Sequence, residues 1–431
     1  MEDILARAKK VAEAAEVFTT SVEDTSVQFE TNRLKHVEGK QSTTIALRLI
    51  KNGRIGYALS SGENKDTDLV AMALETAEFG MPAKFEFPAE TAFPEVKIYD
   101  AKVLQVTPEQ MIKTGEELIT PLIANTPDII CQAGVGRATV TVELKNSRGG
   151  QAKYSKTVFS LGVEGTVIKG TDMLFVGEGE SSCRPITDIK YVVAETLRQL
   201  ELAKNQAAAP TKLMPVIFTP NGVAHGLISP LVAAFNGKMV LEGASPIGNR
   251  LGETVFSSKL SLWDDATMPF RPESRPCDDE GMPSRRIPLI EKGVVSNFLY
   301  DLQTAALAGK QSTGSAGRDR GLPSPSPSAF VIAPGEVSFE DMVRDMKEGL
   351  IIEQLMGAEQ GNVLGGDFSG NVLLGYKVEN GRIIGRVKDT MVSGNVYRLF
   401  KEITPGKETR WVGGFLQTPH FYFPSVSVAS K

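Results

Sequence analysis

The chain has 431 residues, of which 41% are hydrophobic and 23% are charged, and its formal net charge is −5. This composition is typical of a globular protein with two or three domains. The acidic balance, without a block of Lys and Arg or a stripe of aromatic and Arg residues, argues against nucleic acid as the main partner.

The sequence carries no sign of a membrane or secreted location. The first residues, MEDILARAKKVAEAAEVF, are too charged for the apolar region of a signal peptide. No run of about 18 apolar residues predicts a transmembrane helix. The cysteines, Cys131, Cys183 and Cys277, are odd in number and widely spaced, which disfavours disulfides and a Cys-rich zinc site. We therefore expect a cytoplasmic protein.

Helical and strand patterns alternate along the N-terminal half. Apolar residues from Ile4 to Ala15 recur at helical spacing and predict an opening amphipathic helix. The alternation in TTIALRLI, followed by Asn52-Gly53, predicts a tight β-hairpin. Further helices are expected at about residues 65–79, after Thr107-Pro108-Glu109 and around residues 189–200, with a β meander over 136–176. No internal repeat is apparent.

The C-terminal half is expected to be mostly antiparallel sheet, in the form of a barrel. NQAAAPTKLMP, near 205–214, is the predicted linker between domains 1–205 and 206–431. IEKGVV and VENGRI predict two hairpins, and SFEDMVRDMKEG predicts a capped helix at about 338–349. GLPSPSPS at 321–328 is interpreted as an extended exposed loop. The whole chain is predicted to be α+β.

Phosphate-binding and serine-hydrolase motifs are not found. GKQST at 309–313 lacks the order of a P-loop, and GVGRAT at 134–139 ends in Thr where a dinucleotide fingerprint needs Gly or Ala. A GxSxG nucleophile motif is absent from the sequence, although a Ser-His-Asp arrangement built by the fold is not excluded by composition.

Two short segments are candidates for ligand contact. Asp278, Asp279 and Glu280 are consecutive carboxylates, which repel one another unless they are solvated, hydrogen-bonded or bound to a cation. They form either an acidic turn closed by Gly281 or a site in which one carboxylate faces the interior, held by Arg or backbone N–H groups. The small residues at 312–317 form either a flexible loop or a loop that contacts a ligand.

His225 is one of only three histidines, and it lies in the stretch NGVAHGLISPLVAAFNG. A zinc-binding helix places two His on neighbouring turns with a Glu beside the first. His225 is followed by Gly226, and neither side of it has a partner His four or five residues away. Ser229-Pro230 is a natural start for a helix, which would leave His225 in the preceding turn. His225 is therefore interpreted as a structural or surface residue, or as a substrate contact.

Several phrases later in the chain occur in a specific order. They are CDDEGMPSRRIPLIEKGVVSNFLYD, KQSTGSAG, GLIIEQLMG, GDFSGNVLLGYKVENGRI, MVSGN and WVGG. This ordered set resembles the C-terminal half of the TldD/PmbA family, whose members are also labelled modulators of DNA gyrase. The N-terminal pattern of helices and hairpins is consistent with the same family, so the resemblance covers essentially the whole chain.

The resemblance implies a function in proteolysis. Family members form pairs of related subunits, in which the TldD type binds the metal through HExxxH and a downstream Cys, whereas the TldE/PmbA type lacks these ligands. The pairs degrade or trim unfolded peptides in a closed chamber. In this chain HExxxH is absent and no Cys follows Cys277, so the resemblance is to the metal-free type. Zinc is then expected only in a TldD-type partner, and this chain is expected to be a homodimer when alone.

Two other functions remain open at this point. The chain could be a self-sufficient hydrolase that uses Ser or carboxylate chemistry, or a homodimeric peptide-binding protein without catalysis. For a metal-free subunit of a two-chain peptidase, no catalytic residue is expected, and the substrate is held by strand addition to a sheet edge. The candidates for the peptide path are Asp278, Asp279, Glu280, Ser312, Thr313, Gly314 and His225.

Overall fold

A computed structural model describes residues 1–61, 68–319 and 321–430 of the chain. Strands make up 43% and helices 22% of it, so the predicted α+β class is confirmed. The strands form a six-stranded sheet in the N-terminal half, a twelve-stranded sheet in the C-terminal half and a two-stranded ribbon. No helix in the described ranges is long and apolar enough to cross a membrane.

The first sheet consists of long strands joined by hairpins. They are β1 (Ala14–Glu30), β2 (Arg33–Lys51), β3 (Arg54–Ser61), β4 (Ile130–Asn146), β5 (Gln151–Lys169) and β6 (Asp172–Ser182). The remaining strands are β7 (Gln206–Ala207), β8 (Lys212–Phe218), β9 (Leu262–Asp265), β10 (Arg286–Glu291), β11 (Val294–Val295), β12 (Ala316–Gly317), β13 (Ser324–Pro325), β14 (Phe330–Ile332), β15 (Glu348–Met356), β16 (Asp367–Glu379), β17 (Arg382–Val387), β18 (Thr390–Asn395), β19 (Thr404–Val412) and β20 (Leu416–Ser430).

Most helices are short. They are α1 (Glu2–Ala8), α2 (Leu69–Phe79), α3 (Lys102–Gln105), α4 (Pro108–Asn125), α5 (Lys190–Leu202), α6 (Pro220–Gly226), α7 (Ile228–Ala234), α8 (Gly237–Leu241), α9 (Leu302–Leu307), α10 (Phe339–Arg344) and α11 (Val396–Leu399), with a 3₁₀ turn at Ala358–Gln360. The predicted capped start at Thr107-Pro108 is confirmed, since the Thr107 side chain accepts a hydrogen bond from Gln110 N–H.

The first sheet is an internal repeat that the sequence does not reveal. Its strand order is β3-β2-β1-β4-β5-β6, so three consecutive strands run outward on each side of the central β1–β4 pair. In each half the three strands are preceded and followed by a helix. β1 and β4 have 17 residues each, and β2 and β5 have 19 each. β1 pairs with β4 antiparallel, so the two halves meet at the centre of the sheet. The two halves differ at most sequence positions, which is why the repeat is not apparent from the residues.

The hairpin predictions are confirmed, whereas some boundaries are wrong. Asn52 and Gly53 both have positive φ, as a tight turn between β2 and β3 requires. The opening helix ends at Ala8, because Ala15 is fully buried and pairs with Leu49 in the sheet. Residues 65–67 of the predicted helix at 65–79 lie outside the described residues. The helix predicted at 338–349 ends at Arg344, and Glu348 already begins β15.

The second sheet closes on itself. β8 pairs with β15, β15 with β16, β16 with β18, β18 with β20 and β20 with β8, which makes a five-stranded ring. Aromatic side chains fill part of its core: the ring of Phe218 packs edge-on against Phe368 and Phe423. The barrel expected from the sequence is confirmed. Three of its sheet's pairings, β8 with β15, β14 with β20 and β7 with β17, are nevertheless parallel.

The serine–proline segment at 321–328 is less exposed than predicted. Ser324–Pro325 forms β13, which pairs with β12, and Pro325 is buried. Ser328 is 4% exposed, and both its backbone N–H and its hydroxyl donate to Asp264 Oδ1. These contacts hold the segment against the second sheet, because a buried carboxylate needs hydrogen-bond donors.

A buried ion network joins the first sheet to the C-terminal half of the chain. The Arg48 side chain on β2 is 2% exposed, and its Nη1 lies 2.5 Å from Glu280 Oε1 of the C-terminal half. Its Nη2 lies 3.1 Å from Glu16 Oε1 on β1. Arg318, also from the C-terminal half, pairs with the same Glu16 oxygen. Two residues of the first sheet and two of the second half of the chain are therefore fixed together in the interior.

The carboxyl groups of this network are held away from water. Burial raises the pKa of Glu280 to about 7, although the charge of Arg48 acts in the opposite direction. Burial likewise raises the pKa of the neighbouring Asp278 to about 6. Each of the two groups retains its proton to a higher pH in the folded chain than in water.

We expect the Glu280→Gln variant to alter the pH dependence of stability. Because the folded pKa of Glu280 is about 7 and its ordinary value is 4.5, its contribution to stability is complete below pH 4.5 and is lost as the pH rises to about 7. The wild-type chain should therefore lose stability relative to the variant across this window. The loss is on the order of a few kcal/mol, because one pKa unit corresponds to about 1.4 kcal/mol.

Denaturant unfolding of both proteins at about pH 5 and about pH 7.5 measures this difference. Glu291→Gln is the control, since this glutamate is exposed at the end of β10. Equal pH dependence in the wild-type chain and the Glu280→Gln variant would contradict the expectation.

Candidate functional site

Helix α6 follows strand β8 and contains His225. The Thr219 side chain accepts a hydrogen bond from Gly222 N–H at 3.3 Å, and Pro220 occupies the first turn. Helix α6 therefore starts at Pro220, and the helix predicted near Ser229-Pro230 is α7, which begins at Ile228. The expected position of His225 in a turn is wrong, because His225 lies within α6. The physical reason is that Thr219-Pro220 supplies the same kind of cap and proline ten residues earlier in the chain and so starts an additional helix. His225 lies in the last turn of α6 and is exposed.

The residues around α6 do not fit a zinc ion. Its positions four and five residues before His225 are Asn221 and Pro220, neither of which is a zinc ligand. The described part of the chain contains no group of three or more His, Cys, Asp or Glu side chains placed to hold a metal. The three cysteines are all buried, at Cys131, Cys183 and Cys277. They lie in or beside the first sheet and in the acidic turn.

The N-terminal end of α6 is fixed by buried polar contacts instead. The Thr219 hydroxyl donates to Glu353 Oε2 at 3.0 Å, and Glu353 Oε1 lies 2.5 Å from Arg198 Nη2. Asn221 Nδ2 donates to Glu178 Oε2 at 3.2 Å. Burial raises the pKa of Glu353 and that of Glu178. These contacts connect α6 to β15 on one side and to α5 and β6 on the other.

The acidic turn, residues 277–281, is closed by Gly281 but is not solvated. Gly281 has φ +78, and its N–H donates to Asp278 O. Asp278 is 2% exposed, and its carboxylate accepts from the N–H groups of Glu280, Met282 and Ala316 at 2.9–3.0 Å. Glu280 is fully buried in the ion network with Arg48, and its second oxygen accepts from Leu302 N–H. Asp278 and Glu280 therefore both match the second alternative given by the sequence, in which a carboxylate faces the interior and is held by Arg or backbone N–H groups.

Asp279 differs from its two neighbours, because it is partly exposed. Its Oδ1 lies 3.2 Å from Arg275 Nη1, and its Oδ2 accepts from Arg318 N–H at 2.8 Å. Of the seven candidates for the peptide path, it is the one that lines a cleft between the two halves of the chain.

The small-residue loop meets the acidic turn, but its side chains point into the structure. Thr313 Oγ1 donates to Tyr300 O at 3.1 Å and accepts from Tyr300 N–H at 2.7 Å. Ser312 Oγ also donates to Tyr300 O, and both residues are 7% exposed. Gly314 has φ +73, and a Cβ there would lie 2.7 Å from Pro283 O. A Gly314→Val change would therefore disturb the fold first, so it is a poor probe of a peptide path.

A cleft of about 390 Å³ lies between the first sheet and the segments 273–279 and 317–328. Its sheet wall is formed by side chains that share one face of β1, β4 and β5: Phe18, Thr20, Val140, Val142, Tyr154 and Lys156. The opposite wall carries Arg275, Arg318 and the serines of the segment around β13. The cleft therefore combines apolar side chains with charges of both signs, since Glu273, Asp279 and Asp319 line it beside Lys156, Arg275 and Arg318.

The residues of the sheet wall were not predicted from the sequence. Alternation along β1 and β5 indicates that Phe18 and Tyr154 each point to one face of a sheet. It does not indicate which face packs on helices and which on the second half of the chain. The place of Arg275 and Arg318 in the opposite wall could not be predicted either, because an isolated Arg in a loop is usually solvated.

The chain matches two family models. Residues 211–430 match the PmbA/TldA metallopeptidase C-terminal domain, and residues 15–78 match PmbA/TldA metallopeptidase domain 1. An uncharacterized protein of Methanocaldococcus jannaschii is 28% identical over 417 residues, which cover 94% of both chains. The metalloprotease PmbA of Escherichia coli O157:H7 is 30% identical over 224 residues, covering 51% of this chain and 47% of that one.

Solved structures share the architecture. TldE from Thermococcus kodakarensis superposes with a TM-score of 0.90 at 23% identity, and all of both chains is covered. At this identity the likeness shows the fold. Since the family models together match more than half of the residues, the chain belongs to the TldD/PmbA family of metallopeptidase-related proteins.

Proposed function

We propose that this chain is the metal-free subunit of a two-chain peptidase, in which a TldD-type partner carries the zinc. The pair degrades or trims unfolded peptides in the cytoplasm, and this chain contributes a wall of the chamber and contacts to the substrate. Family membership supports the link to peptidases.

The observation that carries the proposal is the composition of α6. This helix offers one exposed imidazole, with Pro220 and Asn221 where the first His and the Glu of HExxxH would stand. A catalytic zinc needs about three protein ligands and an open position for water. The buried contacts of Thr219 and Asn221 give the same helix a structural role.

The cleft supports a role in holding peptide. Its sheet wall is apolar at Phe18 and Val142, whereas Asp279, Arg275 and Arg318 on the other wall offer hydrogen-bonding groups. In this proposal Asp279 faces the peptide. The buried Asp278 and Glu280 and the loop Ser312–Gly314 keep that wall in place behind it, and His225 lies on the exposed side of α6.

We expect the purified chain to bind less than about 0.1 zinc per chain after growth in zinc-replete medium, because α6 lacks the ligand pair that a stable site needs. Elemental analysis measures this quantity, and His225→Ala is the matched variant. A content of about one zinc per chain that is lost in His225→Ala would overturn the proposal.

We expect the chain to be a homodimer alone and to exchange into a heterodimer when mixed with a paralogue that contains HExxxH. Apolar side chains such as Phe79 (89% exposed) and Leu213 (67%) remain on its surface, and surface of this kind favours association. Sedimentation of each chain and of the mixture measures the assembly, and cleavage of a disordered peptide measures activity.

The same mixing experiment separates the other two functions. Cleavage by this chain alone, without metal, would identify a self-sufficient hydrolase. A clean monomer, or a homodimer that neither exchanges with the paralogue nor supports its cleavage of peptide, would contradict the two-chain proposal.

A further inference from the structure

We propose that three arginines, Arg184, Arg271 and Arg410, form a binding site for the carboxylate groups of peptides. The site lies where the two halves of the chain meet beside α6, and it selects acidic side chains or a free C-terminus. That the ligand is a peptide rests on the proposed function. The geometry of the site stands independently of it.

The three arginines alternate with three aromatic side chains. The guanidinium of Arg184 lies 4.0 Å from the centre of the Phe270 ring, and that of Arg271 lies 4.6 Å from Trp411. The guanidinium of Arg410 lies 3.3 Å from the centre of the Tyr191 ring. Phe270-Arg271 and Arg410-Trp411 are adjacent in sequence, whereas Arg184 follows β6 and Tyr191 lies in the first turn of α5. We call these six residues the arginine–aromatic cluster.

Stacking does not use the hydrogen-bonding edges of the guanidinium groups. A guanidinium is planar, and its five N–H groups lie in that plane, so a ring that covers its face does not use them. Nε and Nη2 of Arg410 are buried, and among the described residues they have no hydrogen-bond partner. Among these described residues, Arg184 and Arg271 also form no ion pair. A carboxylate that accepts two parallel N–H bonds is the natural complement of such an edge.

The backbone holds one member of the cluster in an unfavourable conformation. Phe270 has φ +57, in the left-handed region that a bulky residue rarely adopts. Its N–H donates to Lys97 O at 2.6 Å, and its carbonyl accepts from Cys183 N–H at 3.1 Å. These bonds place the Phe270 ring beneath Arg184 and direct Arg271 towards Trp411. Strain of this kind persists where surrounding structure enforces it, commonly at binding sites.

The pKa of Arg271 is consistent with three positive charges that lie close together. Burial lowers the pKa of Arg271, and the charges of Arg184 and Arg410 lower it further, while Glu180 acts in the opposite direction. Of the other nearby acids, Glu178 accepts from Gly179 N–H and Asn221, and Glu195 is paired with Arg198. Both carboxylates thus accept hydrogen bonds from other groups, although Glu178 lies close enough to Arg410 for the charge of Arg410 to lower the pKa of Glu178.

The surroundings favour a peptide carboxylate over a nucleic acid. A phosphate backbone needs a continuous track of cations, because each nucleotide adds a charge. The cluster is compact, and Glu178, Glu180 and Glu195 beside it interrupt its positive charge, so it offers no continuous cationic track. A single carboxylate needs only one or two guanidinium edges. β19, which carries Arg410, packs against α6 and β6, so the cluster adjoins the helix that in metal-binding relatives would hold the ligands.

Peptide binding to the full-length chain alone tests the proposal. The chain has two tryptophans, so a Trp263→Phe background leaves Trp411 as a fluorescent reporter inside the cluster. Three disordered peptides of equal length are compared: Glu-containing with an amidated end, Gln-containing with a free C-terminal carboxylate, and Gln-containing with an amidated end. The first two identify which source of carboxylate is recognised. An oligothymidine is the nucleic acid probe.

We expect one or both carboxylate peptides to bind about tenfold more tightly than the neutral peptide, as one charge-assisted bond of roughly 1.4 kcal/mol implies. Arg410→Gln and Arg184→Gln should reduce this preference to near unity, and Arg410→Lys should retain part of it. Arg382→Gln, which replaces an exposed arginine of β17, should leave binding unchanged. Thermal melting monitored by circular dichroism confirms that each variant is folded.

Three results would overturn the site. They are equal affinity for all three peptides, tighter binding of oligothymidine than of the acidic peptides, or an undiminished preference in folded Arg410→Gln and Arg184→Gln variants. None of these results depends on a partner subunit or on zinc content. The carboxylate site can therefore be rejected while the proposed two-chain function stands. The two-chain function can likewise be rejected while the carboxylate site stands.

Discussion

The burial of Arg48 is the constraint on which the arrangement of the two halves depends. A guanidinium removed from water is tolerated only when carboxylates compensate its charge and hydrogen bonds satisfy its N–H groups. One carboxylate, Glu16, comes from the adjacent strand, and the other, Glu280, comes from the distant acidic turn. Folding of the first sheet therefore buries a guanidinium whose N–H groups the C-terminal half helps to satisfy. The pairing fixes which face of the sheet the acidic turn covers.

That constraint also determines what the acidic turn can do. The carboxyl oxygens of Asp278 and Glu280 already accept hydrogen bonds from backbone N–H groups and Arg48. Neither group is therefore free to accept a hydrogen bond from a substrate. Asp279, between them, is turned towards the cleft by the same geometry. Three consecutive carboxylates thus divide into two that hold the interface and one that faces the cleft. Residue type alone could not have separated them.

Local features of the fold were predictable, because they depend on neighbours in sequence. The Asn52-Gly53 turn and the Thr107-Pro108 helix start are set by a few adjacent residues, and both were predicted correctly. Helix α6 was missed, although the helix predicted near Ser229-Pro230 is present as α7, since each of the two Ser/Thr-Pro pairs lies at the start of a helix. The repeat in the first sheet was missed, since a sheet conserves strand length and alternation while most residues can change.

The arginine–aromatic cluster shows why site prediction from sequence has a physical limit. Its members come from segments around 184–191, 270–271 and 410–411, and each segment alone contains only an ordinary Arg or aromatic residue. Their contacts arise because β6 and α5 of the first half pack on β19 of the second. A search for clustered cations along the chain finds none, and the net charge of −5 argues against one. Tertiary packing nevertheless assembles a local cationic surface within an acidic protein. In the proposed two-chain peptidase, a subunit without metal ligands would still influence which peptides are accepted, because selectivity requires binding contacts and not the catalytic ion.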